Sequence, residues 1–202
     1  MSKFAVRCAF AAAALLLGTM PAQAMVIVYT VTLNGPSESP SNASPGSGLG
    51  IVTFDDVLDT MRVQAIFLGL TGTTTASHLH CCTAVAGTGT AGVATVTPTF
   101  TGFPLGVTSG SYDVTYNMLL TSSYNASYIT ANGGSPATAF AALSTGLLAG
   151  KGYLNIHTST FGGGEIRGFL QSTTPIPEPG TYAMLLGGLG VVGFVARRRL
   201  QG

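Results

Sequence analysis

The sequence predicts an all-β domain, an antiparallel β-sandwich of immunoglobulin-like or Greek-key type, with one or two short helices in a late insertion. Three observations predict it. Threonine-rich and β-branched runs recur at short spacing between turns rich in Gly, Pro, Ser and Asn. Thr60–Leu68 alternates strictly, with Met61, Val63, Ala65 and Phe67 on one face and Arg62 and Gln64 on the other. Helical spacing is clearest in one stretch, residues 137–149, where Phe140, Leu143, Leu147 and Leu148 recur and Gly150 stands as a C-cap.

Each element follows from its composition. Residues 26–33 (VIVYTVTL) are β-branched and aromatic, a natural first strand. Residues 34–48 are almost entirely loop formers. LGIVTF at 49–54 is a second strand, and Asp55-Asp56 begin the turn out of it. Thr60–Leu68 is the third, closed by Gly69-Leu70-Thr71-Gly72. Residues 76–81 make a short strand, 83–92 a loop, and 93–97 another short strand that Pro98 stops. A strand over 111–120 precedes a helix over 122–131, ended by Asn132-Gly133, and then the helix over 137–149. Residues 152–158 and 164–170 are two final strands joined by 159–163. No internal repeat is present.

The whole chain has 202 residues, 46% of them hydrophobic, with 8 basic and 7 acidic side chains. That balance suggests a membrane protein until the ends are set apart, which divides the chain into residues 1–24, 25–174 and 175–202. The first segment reads as a signal peptide: Lys3 and Arg7, an apolar core over 8–17, then Ala22-Gln23-Ala24 as a small-x-small cleavage site. A membrane anchor needs roughly 18 or more apolar residues, so the expected partners are the Sec translocon and signal peptidase. Cys8 opens the apolar core instead of following it, which excludes a lipoprotein signal. The middle segment holds three bases (Arg62, Lys151, Arg167) against six acids, a formal charge of −3, with 25 threonines and no tryptophan. Nucleic acid needs clustered Lys and Arg, so no nucleic-acid partner is expected. A domain of this length buries about 70% of its unfolded surface, enough for a core.

In the third segment Pro177-Glu178-Pro179 precedes an apolar stretch over 181–196 and the cluster Arg197-Arg198-Arg199. Sixteen helical residues span about 24 Å, short of a hydrocarbon core near 30 Å. The arginines would stay cytoplasmic, leaving the domain outside. This order resembles the PEP-CTERM sorting signal of Gram-negative bacteria. The resemblance implies a C-terminal transmembrane helix, an exosortase-like sorting enzyme as partner, and an inner-membrane-anchored intermediate. The destination it implies is the cell surface or the extracellular matrix, often in exopolysaccharide systems.

All three histidines lie in two motifs. His78-Leu79-His80 sits on one predicted strand, where residues two apart share a face. Asn155-Ile156-His157-Thr158 places Asn155 and His157 on one face, and Gly164-Glu165-Ile166-Arg167-Gly168 does the same for Glu165 and Arg167. With Leu33-Asn34-Gly35, Glu38, Pro40 and Ala76–His80, these motifs resemble the CHRD domain, over roughly residues 27–171. The family often has two prolines after the glutamate, and here the second position is Ser41. The resemblance implies the fold and carries no agreed activity.

Two readings of the histidines are open, and the second, structural one is favoured over the metal site. In one, His78, His80 and His157 are ligands for copper or zinc, with Glu165 or a water completing the set and Asn155 or Thr158 orienting an imidazole. In the other, Glu38, Asn155, Thr158, Glu165 and Arg167 join the histidines in a buried polar clamp that pins the sheet. The second leads to a non-enzymatic, structural or binding role at the cell surface. No catalytic residue is assigned: no Gly-x-Ser-x-Gly elbow occurs. The adjacent cysteines Cys81 and Cys82 are expected to form a vicinal disulfide in an oxidising compartment, with two thiols, or thiolate ligands beside His80, as the other readings. Tyr112, Tyr116, Tyr124 and Tyr128 can meet surface polysaccharide or pack between strands. Packing is the favoured reading, because no Trp supplies a sugar platform.

Overall fold

The computed structural model describes residues 26–173 and 179–199. The expected signal peptide (1–24), Pro177 and Glu178 lie outside the described residues. Eight strands form: β1 (Val26–Asn34), β2 (Ser47–Asp55), β3 (Thr60–Leu68), β4 (Thr74–His80), β5 (Gly110–Asn117), β6 (Tyr153–Thr158), β7 (Ile166–Phe169) and β8 (Gln171–Ser172). Among the described residues three α-helices accompany them: α1 (Ala126–Ala131), α2 (Pro136–Leu148) and α3 (Pro179–Arg199).

The expected antiparallel β architecture is present, yet the strands form one sheet instead of two. Their order is β4-β6-β7-β1-β2-β3-β5, with β8 beside β1. β1 is the reason. It pairs with β2 over its full length, and on its other edge it meets β7 at Asn34–Arg167 and β8 at Tyr29–Ser172. The ladder therefore runs through β1 without a break. The sheet also curls strongly. β3 and β4 lie towards opposite ends of the strand order, yet only residues 69–73 join them, a link that reaches at most about 20 Å. Backbone bonds close that seam, from Leu70 N to the Thr108 carbonyl (3.1 Å) and from Thr74 N to the Val107 carbonyl (2.8 Å). The result is a sandwich-like half-barrel.

Alternation fills its interior. Ile27, Tyr29, Val31 and Leu33 point inward from β1, and Met61, Val63, Ala65 and Phe67 from β3. α2 closes the open side. Ser135 and Thr138 form a capping box at its start, with Pro136 in the first turn. Its apolar stripe of Phe140, Leu143 and Leu147 is buried, and the Phe140 ring stacks on Phe54 with centroids 5.4 Å apart. Each such side chain stabilises the fold by roughly 1.5–3 kcal/mol through burial.

Several local expectations change. Residues 93–97 form no strand, only isolated bridges from Val93 to His80 and from Thr95 to Tyr124. The N–H groups of Ala94 and Thr95 both turn to the Leu79 carbonyl, so no ladder can propagate. The helix expected from residue 122 starts at Ala126, because Asn125 caps it by accepting from Ser127 N. Tyr112, Tyr116, Tyr124 and Tyr128 are 5%, 8%, 4% and 7% exposed, which removes them as a sugar-binding surface. The tail is helical, but among the described residues no helix is long and apolar enough to cross a membrane. Gly187, Gly188, Gly190 and Gly193 thin its apolar surface, and Arg197, Arg198 and Arg199 end it.

A candidate metal centre on the outer face of the sheet

The period of two decides where the polar residues go. In β4, Leu79 points into the core, so His78 and His80 stand on the outer face. In β6, Leu154 and Ile156 are inward, which places Tyr153, Asn155 and His157 outward. The β4–β6 register sets His78 opposite Asn155 and His80 opposite Tyr153. Arg167 of β7 follows Asn155 in the next position across. A buried polar row thus crosses the face under the loops that follow β4.

The three imidazoles converge, with one ligand atom from each lying within 4.8 Å of the others. His78 and His80 are 6% and 8% exposed, while His157 is partly exposed and opens the site to solvent. Each ring is held by a backbone carbonyl. His78 Nε2 meets the Pro98 carbonyl at 2.6 Å, His80 Nδ1 that of Ala91 at 2.9 Å, and His157 Nδ1 that of Gly162 at 2.9 Å. A carbonyl accepts only, so these nitrogens must carry the protons. The lone pairs are left on His78 Nδ1, His80 Nε2 and His157 Nε2. His78 Nδ1 and His157 Nε2 stand 3.4 Å apart. Two lone pairs at that distance repel, unless a cation lies between them.

Electrostatics favours neutral rings. Burial pulls His78 down to about 4 against the Pro98 carbonyl, which raises it, with His157 and His80 lowering it further. Burial also lowers His80 and His157. Neutral imidazoles with fixed tautomers are the form a transition metal binds. Tyr153 stacks on His80 with centroids 4.7 Å apart, and its hydroxyl donates to the same Ala91 carbonyl. The Arg167 guanidinium lies 4.7 Å above the Tyr153 ring centroid.

The residues expected to form one polar clamp divide into two groups. Glu165 does not reach the histidines. Gly164, at φ 132°, turns the chain so that Glu165 precedes β7 and escapes its alternation. Its carboxylate accepts from Ser44 Oγ (2.6 Å), Thr71 N (2.5 Å), Gly72 N (3.1 Å) and Thr158 Oγ1 (2.6 Å). Burial pushes its pKa up, and those four donors together bring it below the ordinary range. Glu165 therefore ties the β3–β4 link to the sheet, with Thr158 as partner, and neither has an oxygen to spare for a metal. Glu165 and Arg167 do not pair. Arg167 Nε instead donates to the Ser37 carbonyl at 2.5 Å and lies 3.7 Å from Glu38 Oε2. A Cβ on Gly164 would sit 2.5 Å from Glu38 Oε1, so glycine is required there by the approach of that carboxylate.

Asn155 is 2% exposed and belongs to the histidine group, its side chain beside His80. Cys81 and Cys82 are joined by a disulfide that packs on Gly146 of α2, so neither sulfur is a thiolate ligand. The anchoring carbonyls of Ala91, Pro98 and Gly162 had no signal in the sequence, since any residue supplies one. Ser44 and the Asn42 side chain, which donates to the Glu165 carbonyl at 3.1 Å, were equally hidden in a loop of polar residues. Tyr153 was visible, two positions before Asn155, without its stacking role.

Fold and site together define an all-β domain with a buried histidine cluster on its outer face. The chain belongs to the CHRD domain family, whose model matches residues 29–170. A second model, the PEP-CTERM protein-sorting motif, matches residues 175–199 and implies export and recognition by an exosortase-type enzyme. No curated protein and no solved structure matches the chain.

Proposed function

We propose that this protein is an exported CHRD domain that holds a copper or zinc ion on His78, His80 and His157 at the bacterial surface. One observation carries the reading: each imidazole is anchored through one nitrogen to a backbone carbonyl, and the three rings each bring a nitrogen within 4.8 Å of the others. A purely structural histidine would use its second nitrogen too, whereas His80 Nε2 is buried with no partner among the described residues. The domain is a holder and not an enzyme in this reading, released or anchored according to how its tail is processed. Elemental analysis of the protein, purified without a His tag, tests it. About one equivalent of copper or zinc is expected, lost in His80→Ala. A protein that takes up neither ion on incubation would leave the histidines as fold determinants.

A second reading, a structural or adhesive role in the envelope or exopolysaccharide matrix, is favoured by a different part of the outer surface. Leu49 (55% exposed), Ile51 (41%), Ile66 (52%) and Leu68 (58%) form an apolar strip on the outer side of β2 and β3. Retention of the protein on the producing organism's own polysaccharide, weakened by Leu49→Ser with Ile66→Ser, would support this role.

A further inference from the structure

The histidine cluster leaves one buried group on the same face unused. Asn155 stands opposite His78 in the β4–β6 register and two residues before His157 on one strand face. Its amide lies against His80. Asn155 Oδ1 is nevertheless buried without a hydrogen-bond partner among the described residues, as is His80 Nε2. Because His80 Nδ1 is committed to the Ala91 carbonyl, Nε2 presents a lone pair, and so does an amide oxygen. Two neighbouring acceptors with no donor each cost about 1–3 kcal/mol, and with the amide oxygen turned to the ring neither can satisfy the other. A cation satisfies both at once.

We infer that Asn155 Oδ1 is the fourth ligand of the metal, closing an N3O set around a divalent ion; the inference rests on the histidine reading above. The other side-chain oxygens considered for that position, those of Glu165, are occupied by Ser44 Oγ, Thr71 N, Gly72 N and Thr158 Oγ1. A neutral amide also suits its neighbour. Arg167 follows Asn155 across the sheet, so the amide supplies an oxygen beside that guanidinium without adding a charge to the site. Three imidazoles and an amide oxygen form a borderline-to-hard set, which suits copper(II) or zinc and not copper(I). A site whose fourth position is filled by protein has no exchangeable water to activate, the arrangement of metal sites that hold and do not catalyse.

The alternative is a reversed amide, with Asn155 Nδ2 donating to His80 Nε2. Titration with copper(II), followed by electron paramagnetic resonance with and without azide, distinguishes the two. The wild-type chain is expected to bind one copper(II) and to show no change of spectrum with azide. Asn155→Leu should bind copper about 10–100-fold more weakly and acquire an azide-dependent shift, because the fourth position is then open. Asn155→Asp keeps the oxygen and should stay indifferent to azide. An azide response in the wild-type protein would overturn the inference, as would Asn155→Leu with wild-type affinity and no azide response. If Asn155→Leu does not fold, the wild-type and Asn155→Asp spectra decide alone. A wild-type chain that binds copper but fails these tests refutes the fourth ligand only, whereas one that binds neither copper nor zinc refutes the histidine reading as well.

Discussion

Glu38 and His78 titrate over the same pH range with opposite effects on stability. Burial, opposed by Arg167 and the Ser39 backbone, raises Glu38 from its ordinary 4.5 to about 7. Between those values the folded chain holds a proton that the unfolded chain has released. The contribution is therefore complete below about pH 4.5 and is lost as pH rises through about 7. His78 runs the other way, lowered by burial from 6.5 to about 4. Its contribution is complete above 6.5 and is lost as pH falls through about 4. Each displacement corresponds to roughly 3 kcal/mol at about 1.4 kcal/mol per pH unit, so the two nearly cancel in the overlap. His80 and His157, also lowered, then set the acid-side loss of the native protein. Glu38→Gln preserves the shape against Gly164 and removes the compensating titration. Urea unfolding of chelator-treated protein at pH 7 and pH 5 measures the difference. The variant should lose about 2 kcal/mol more stability than the wild type over that interval. Equal losses in the two proteins would refute the assignment of a raised pKa to Glu38.

Three further outcomes are expected. Glu165→Ala removes the acceptor of four hydrogen bonds and should cost about 3–5 kcal/mol in chemical denaturation, with faster amide exchange at Thr71 and Gly72. The unreduced mature protein should run about 2 Da below its dithiol mass and resist alkylation at Cys81 and Cys82, while Gly146→Ala, whose Cβ would collide with both sulfurs, should cost about 1–3 kcal/mol. Arg62→Ala should leave the urea midpoint essentially unchanged, because its pair with Asp113 is about half exposed on both sides, 49% and 48%.

What was legible in the sequence was periodic. The alternation of Thr60–Leu68 matches β3 residue for residue, and the same rule placed His78 with His80 and Asn155 with His157. Phe140, Leu143 and Leu147 at helical spacing marked the buried face of α2. What was hidden depended on single distant contacts or on broken alternation. The continuity of the sheet rests on Asn34 meeting Arg167, a pairing no local pattern announces. Glu165 was misplaced because the turn at Gly164 takes it out of register, so a rule valid inside β7 fails one residue before it. The three loop carbonyls that orient the imidazoles act through the backbone, and backbone atoms leave no trace in residue identity.

In the metal-holding reading proposed above, those loop carbonyls would also determine when an ion is captured. Ala91, Pro98 and Gly162 belong to segments that reach the imidazoles only after β4 and β6 have paired, so an extended chain has three unrelated histidines and no pocket. In that reading, a chain that crosses a membrane before folding arrives empty. It would take its metal from whatever the outer compartment supplies, so the place of folding, as much as the ligand set, would select the ion.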